Sequence, residues 1–217
     1  MLYGIAVSIK DKYIVRSVNA EDTKEWLLYK HYAARMPNII YAFGLYKCDL
    51  LVGVITYGNM ASPAPCVGVC GLKYRSIVIE LNRLCINDGE DLNAASFFVS
   101  STLKLIQGPK IIISYADTSK NHIGYIYQAT NFLYTGLSAK RTDPDHETNN
   151  IHNRNSFIKG LPQKERPRKH RYIYFIGTKK EKLLMRAALN YDIEPYPKGD
   201  NKRYDASYKP TIQGNLF

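Results

Sequence analysis

The sequence predicts a mixed α/β fold: a mostly antiparallel central sheet with helices on both of its faces. Three observations lead there. Runs rich in β-branched and aromatic residues come in pairs around tight polar turns, and they alternate with segments of helical periodicity. One run, Lys110 to Tyr115, is almost wholly apolar, as expected of a strand at the centre of a covered sheet.

Taken in order, Leu2 to Ile9 and Tyr13 to Val18 read as an opening hairpin turning at Lys10-Asp11-Lys12. Asn19 or Asp22 is placed to cap a helix from about Thr23 to Arg35, ended by Pro37. Ile39 to Tyr46 and Leu50 to Tyr57 form a second hairpin around Lys47-Cys48-Asp49, closed by Gly58. The stretch 61–71 holds enough Gly and Pro to read as an irregular loop of the kind that carries active sites. Ser76 to Ile86 is a long strand. Leu92 to Gln107 is a helix capped by Asn93 and stopped by Gly108-Pro109. After the strand Lys110 to Tyr115 come a short helix within 119–130, a strand from Phe132 to Leu137, and a strongly basic insertion at about 139–170. Arg171 to Gly177 returns as a strand, and Lys180 to Asn190 is the last helix.

A chain of 217 residues suits one domain, assigned to 1–197, followed by a basic, Tyr-rich tail over 198–217. No stretch reaches the roughly 18 apolar residues of a membrane helix. The first residues carry no basic leader, so the expectation is a cytoplasmic protein with reduced cysteines and no membrane partner. The net charge of +11 favours a polyanionic partner, and 18 tyrosines offer faces for stacking on bases. A basic protein whose tyrosines fill an ordinary core accounts for the same composition.

Candidate functional residues gather from distant words. His31-Tyr32 ends the first helix, and Glu80-Leu81-Asn82-Arg83-Leu84 lies on the long strand. Strict alternation places Glu80 and Asn82 on one face, with Leu81 and Arg83 on the other. Ser114-Tyr115-Ala116-Asp117 stands at the C-terminal end of the most apolar strand, where α/β sheets hold ligands, and Tyr127 follows. A carboxylate there, among tyrosines, suits acceptance of a proton from a poorly nucleophilic group. Plainer roles exist for each: His31 as a packed or capping residue, Asp117 as the cap of the next turn, the insertion as a solvated loop. Cys66-x3-Cys70 lacks the spacing of a metal finger.

The words His31-Tyr32-x-x-Arg35-Met36-Pro37, Gly53-Val54-x-x-Tyr57-Gly58, Glu80-Leu81-Asn82-Arg83, Ser114-Tyr115-Ala116-Asp117, Gly124-x-Ile126-Tyr127-Gln128-Ala129-x-Asn131-Phe132 and Lys169-His170-Arg171-Tyr172 occur in one order. The element order resembles the GNAT acyltransferase fold, and the six words together resemble the Mom family of phage DNA-modification proteins, over about 20–197. That resemblance implies addition of a carbamoylmethyl (acetamido) group to adenine N6 in double-stranded DNA, which shields the DNA from host restriction. It carries His31, Tyr32, Arg83, Asp117 and Tyr127 into a catalytic site, and implies an iron ion for which His31, Asp117 and a tyrosinate are chemically suitable ligands. Tyr115, Ser114, Asn82, Glu80 and Tyr57 are expected to bind substrate. Arg154, Lys164, Arg166, Arg168, Lys169 and Arg171 are expected to grip DNA, and a homodimer is left open.

The donor is unknown. GNAT enzymes hold the pyrophosphate of acetyl-CoA on a Gly-rich loop after the long strand, whereas Asn87-Asp88-Gly89-Glu90-Asp91-Leu92 has one glycine and three acids, which makes acetyl-CoA doubtful. The alternatives are a GNAT-type N-acetyltransferase acting on a protein or small amine, and a non-catalytic DNA-binding module.

Overall fold

The computed structural model describes residues 8–144 and 162–199. Seven strands form one sheet in the order β1 (Ile14–Ser17), β2 (Tyr41–Lys47), β3 (Leu50–Gly58), β4 (Val78–Ile86), β5 (Lys110–Asp117), β9 (Lys169–Ile176) and β6 (Leu133–Leu137). Every neighbouring pair is antiparallel except β4 with β5. A separate two-stranded ribbon pairs β7 (Arg141–Pro144) with β8 (Gln163–Arg166). The mixed, mostly antiparallel sheet with helices on both faces is the predicted class.

Apolar alternation divides the sheet into two faces. On the first, Phe43, Ile55, Tyr57, Ile79, Leu81 and Ile112 pack against Phe98, Val99 and Leu103 of α3 (Ala94–Leu105). The second face carries two separate apolar clusters. One joins Val78, Ile111, Ile113 and Phe175 to Val69 of α2 (Pro63–Cys70) and Met185 of α5 (Lys179–Ala187). The other seats Trp26 and Leu27 on Val54 and Cys85.

Two features of β4 set what lies between those clusters. The register passes from Tyr57↔Leu81 to Thr56↔Arg83, so Asn82 is an extra residue, a β-bulge. Its side chain is fixed on both sides: Thr56 Oγ1 donates to Oδ1 at 2.6 Å, and Nδ2 donates to the Asn38 carbonyl at 2.9 Å. Gly58 lets that carbonyl come close, because a Cβ there would sit 1.8 Å from it. The bulge corrects the expected alternation. Glu80 and Arg83 share one face, while Leu81 and Leu84 turn to the other. Moreover, β4 and β5 pair only from Val78↔Ile111 to Leu81↔Ser114, and then part.

Other expectations need correction. Residues 10–12 belong to a helical turn, α1 (Ile9–Lys12), in place of the expected tight turn, and β1 pairs with β2; residues 1–7 of the expected first strand lie outside the described residues. The expected helix 23–35 is a 3-10 turn at Glu21–Thr23 and a π-helical turn at Trp26–Lys30, ending at His31 in extended conformation. That wider turn lets Trp26, Leu27 and Lys30 all bury against the sheet side. Residues 61–71 are not irregular. Pro63 opens α2, where a missing N–H costs nothing, and Gly71 (φ 80°) ends it. The insertion also ends sooner than expected, since Lys169 and His170 already belong to β9.

Asn82→Ala should lower unfolding stability by about 1–3 kcal/mol, the cost of leaving buried Thr56 and the Asn38 carbonyl without their partner. Urea titration followed by circular dichroism measures it, and an unchanged midpoint would show that the bulge holds without its side chain.

Candidate functional site

On the second face, the gap between the two apolar clusters is charged. Register places its members in a row across three strands. Glu80 lies level with Ile113, Tyr115 is paired with Arg171, and Asp117 is paired with Lys169. Arg83 joins them through the bulge. Pairing puts these side chains on one side of the sheet, at the end where β4 and β5 have parted.

Asp117 plays two parts. Its Oδ1 accepts from the Ser119 amide at 2.9 Å and from the Ser119 hydroxyl at 2.7 Å, so it does cap the 3-10 turn Thr118–Lys120. Its Oδ2 lies 3.3 Å from Lys169 Nζ. Partial burial pushes its pKa up, but Ser119 and Lys169 outweigh that and hold the carboxyl below its usual range. Glu80 is opposite in character. Desolvation raises its pKa, only partly countered by Arg83 and Lys169. Burial likewise lowers the pKa of Arg83, whose Nη1 donates to the Asn82 carbonyl at 2.7 Å, while its Nε is buried without a hydrogen-bond partner among the described residues.

The parting of β4 and β5 also brings residues of the first face to this gap. Ser114 is fully buried and donates to the Leu81 carbonyl at 3.2 Å. Tyr127, on α4 (Tyr125–Ala129), hydrogen-bonds Ser114, and burial pushes its phenol up to about 12, with Tyr32 and Glu80 adding to the rise. Tyr115 is also pushed up to about 12, by burial first and then by Glu80. Both phenols are therefore neutral donors at physiological pH. His31 is buried, its Nδ1 accepts from the Ala33 amide at 3.0 Å, and its ring stacks on Tyr32 at 4.4 Å. Tyr32 in turn meets the edge of His122 at 6.3 Å, and the pKa of His122 is lowered by burial although Asp117 opposes the shift. His122 carried no signal in the sequence, because only the turn after Asp117 brings it here.

Thus Glu80, Arg83, Tyr115, Asp117 and Lys169 converge, joined by Tyr32, Ser114 and Tyr127. Asn82 shapes the bulge, and both polar ends of its side chain are engaged by the fold. Tyr57 does not reach the gap: it is 0% exposed, its hydroxyl is 2.6 Å from Thr102 Oγ1, and it belongs to the core behind Tyr127. Arg168 and Arg171 are engaged in the fold. Arg168 donates to the Ser138 and Leu137 carbonyls. Arg171 donates to Thr135 and lies 3.4 Å over the Tyr191 ring. Lys164 and Arg166 are exposed on the ribbon, and Arg154 lies outside the described residues.

Iron was expected on His31 and Asp117. Among the described residues, no three His, Cys, Asp or Glu side chains come together as a ligand set, and both Asp117 oxygens already serve Ser119 and Lys169. The described residues do not fit that ion. The loop opening α3 is also built around its acids. Tyr13 Oη lies 2.5 Å from Glu90 and 2.8 Å from Asp91, while Lys47 and Lys12 pair with the same two carboxylates at 3.0 and 2.8 Å. No helix among the described residues is long and apolar enough to cross a membrane.

Over residues 12–198 the sequence matches the Mom protein family. It is 30% identical over 187 residues to the protein named methylcarbamoylase mom of Escherichia phage Mu, covering 78% of this chain and 77% of that one. Among solved structures it is similar to an N-acetyltransferase from Staphylococcus aureus Mu50, at 15% identity and TM-score 0.46, covering 75% of this chain and 98% of that one. It is also similar to Arabidopsis thaliana Naa50 in complex with a bisubstrate analogue, at 12% identity and TM-score 0.47, covering 76% of this chain and 99% of that one.

The raised pKa of Glu80 makes a prediction about stability. The folded chain holds the Glu80 proton more tightly than the unfolded chain does, so the associated stability is present in acid and is lost as pH rises through the folded pKa. Glu80→Gln removes this penalty. The variant should melt above the parent at pH 8, with the difference shrinking towards pH 4; a lower melting temperature at pH 8 would mean that Arg83 and Lys169 need the charge.

Proposed function

This chain belongs to the Mom protein family, and from that premise we propose that it is a phage DNA-modification transferase adding a carbamoylmethyl group to N6 of adenine in double-stranded DNA. The observation that carries the proposal is the charged row at the parting of β4 and β5, where an ionised carboxylate, a neutral phenol and half-buried cations share one gap. Protection of the phage DNA from host restriction follows from a changed N6.

Adenine N6 is conjugated with its ring and, in a duplex, stacked and paired. The base has to leave the helix, at a cost of a few kcal/mol, to reach such a gap. Tyr32 and Tyr115 are placed to stack on it or orient it. N6 bonds to the methylene carbon of the donor, whose leaving group departs with its electron pair. The nitrogen is then strongly acidic, so a carboxylate of low basicity suffices to take its proton. Asp117 is that acceptor in this scheme, and Lys169 keeps it ionised. Arg83, with its buried Nε unpartnered, is suited to hold the amide oxygen of the carbamoylmethyl group. Tyr127 and Ser114 line the gap behind it. Acetyl-CoA is not the favoured donor, because Glu90 and Asp91 would face its pyrophosphate at the start of α3.

General-base help of this kind is worth about 10²–10⁴ in rate. Asp117→Asn should therefore reduce adenine modification by about that factor while the protein still binds DNA, read by mass spectrometry of nucleosides from cells expressing each form. Unmodified adenine in DNA from cells carrying the parent chain, with an acetylated amine found instead, would replace this proposal by the acetyltransferase alternative.

A further inference from the structure

The ribbon β7–β8 has two unlike faces. Arg141 is paired with Arg166 and Asp143 with Lys164, and residues two apart share a side, so these four project together. Thr142 and Glu165 pair on the opposite side. Among the described residues, one side is thus cationic, with Asp143 as its only acid, and its contact with Arg166 is loose at 3.8 Å. Arg141 and Arg166 face one another as like charges, an arrangement that costs stability unless an anion lies between or beside them. At the foot of the ribbon a cleft of about 280 Å³ is lined by Lys140, Arg141, Glu165, Arg166, Pro167 and Arg168.

The ribbon is anchored beside the charged row. The Arg168 carbonyl accepts from Thr118 Oγ1 at 2.6 Å, one residue beyond Asp117, and Lys169 follows with its contact to Asp117 itself. Arg141 is near enough to Tyr115 to counter part of the burial that raises that phenol. The cationic side therefore lies next to the gap where the base would react.

We propose that the cationic side of the ribbon (Arg141, Lys164 and Arg166, with Lys140 at its foot) grips the phosphate backbone of duplex DNA next to the extruded base. Arg168 and Arg171, equally basic in sequence, serve the fold instead: their guanidinium groups are spent on carbonyls, on Thr135 and on the Tyr191 ring. Among the described residues, the exposed cations Lys140, Arg141, Lys164 and Arg166 outnumber the acids beside them, Asp143 and Glu165, and such an excess beside a groove fits a regularly charged polyanion better than a protein surface. The proposal rests on DNA being the substrate, but it makes a separate claim.

The test titrates the full-length chain and its R141Q/K164Q/R166Q variant with a short duplex at several salt concentrations. Each lost phosphate contact reduces the slope of log affinity against log salt by about 0.9. The variant should lose roughly 2 to 3 in slope, with an unchanged far-ultraviolet spectrum and melting temperature. K104Q, which removes an exposed cation on α3 away from the ribbon, should keep the parent's slope. An unchanged slope in the triple variant overturns the proposal, as does a loss of about 1 in K104Q. If the triple variant misfolds, single K164Q decides, with an expected loss of about 1. Nucleoside mass spectrometry of the parent separates the two claims: modified adenine with an unchanged slope removes the ribbon and keeps the enzyme. Unmodified adenine with a reduced slope removes the enzyme and keeps the ribbon.

Discussion

Two adjacent strands cease to share hydrogen bonds after Leu81 and Ser114, and an ionisable row can exist inside a sheet protein because of it. Within a continuous ladder, positions 80, 83, 115 and 117 would be pressed between apolar clusters, where a charge is costly. The parting gives them room, and the Asn82 bulge turns Arg83 to the side of Glu80. Asn82 is itself held by Thr56 and by the Asn38 carbonyl, which reaches it only because Gly58 has no side chain. A small residue, an amide and a hydroxyl thus fix the geometry of groups several residues away.

The electrostatics of the row follow from unequal shelter. Asp117 is surrounded by donors that favour its charge, whereas Glu80 has lost water without gaining equal compensation. Two carboxyls on one sheet face therefore differ in basicity: one stays ionised, and the other resists ionisation. Burial keeps the phenols of Tyr115 and Tyr127 protonated, and the same cause raises the pKa of Glu80. Such a gap offers hydrogen-bond donors and one firm anion to an incoming neutral base. Its cations are divided, with Lys169 serving the site and Arg171 stacked away on Tyr191.

The Tyr-rich composition has a mixed explanation. Tyr134, Tyr172 and Tyr127 form a ladder of tilted rings 5.2 to 5.3 Å apart on the first face, which is packing. Tyr13 and Tyr57 use their hydroxyls to tie the core to a loop and a helix. Tyr32 and Tyr115 stand at the gap, and composition alone does not separate them from the rest.

Strand content, the central apolar strand, the helix over 94–105 and the placement of Asp117 at a strand end were legible in the residues, because each depends on periodicity or on neighbours in the chain. Family words placed Tyr32, Arg83, Ser114 and Tyr127 in one list, and the fold brings them near one another. Tertiary structure alone decided the rest. The bulge depends on Asn38 and Thr56, distant in sequence, so strict alternation gave Arg83 the wrong face. Packing of Trp26 and Leu27 shortened the first helix, and Tyr57 was drawn into the core by Thr102. Which arginines remain available to a partner was also hidden: the carbonyls, hydroxyl and ring that occupy Arg168 and Arg171 come from other segments, and only folding sets them within hydrogen-bond reach.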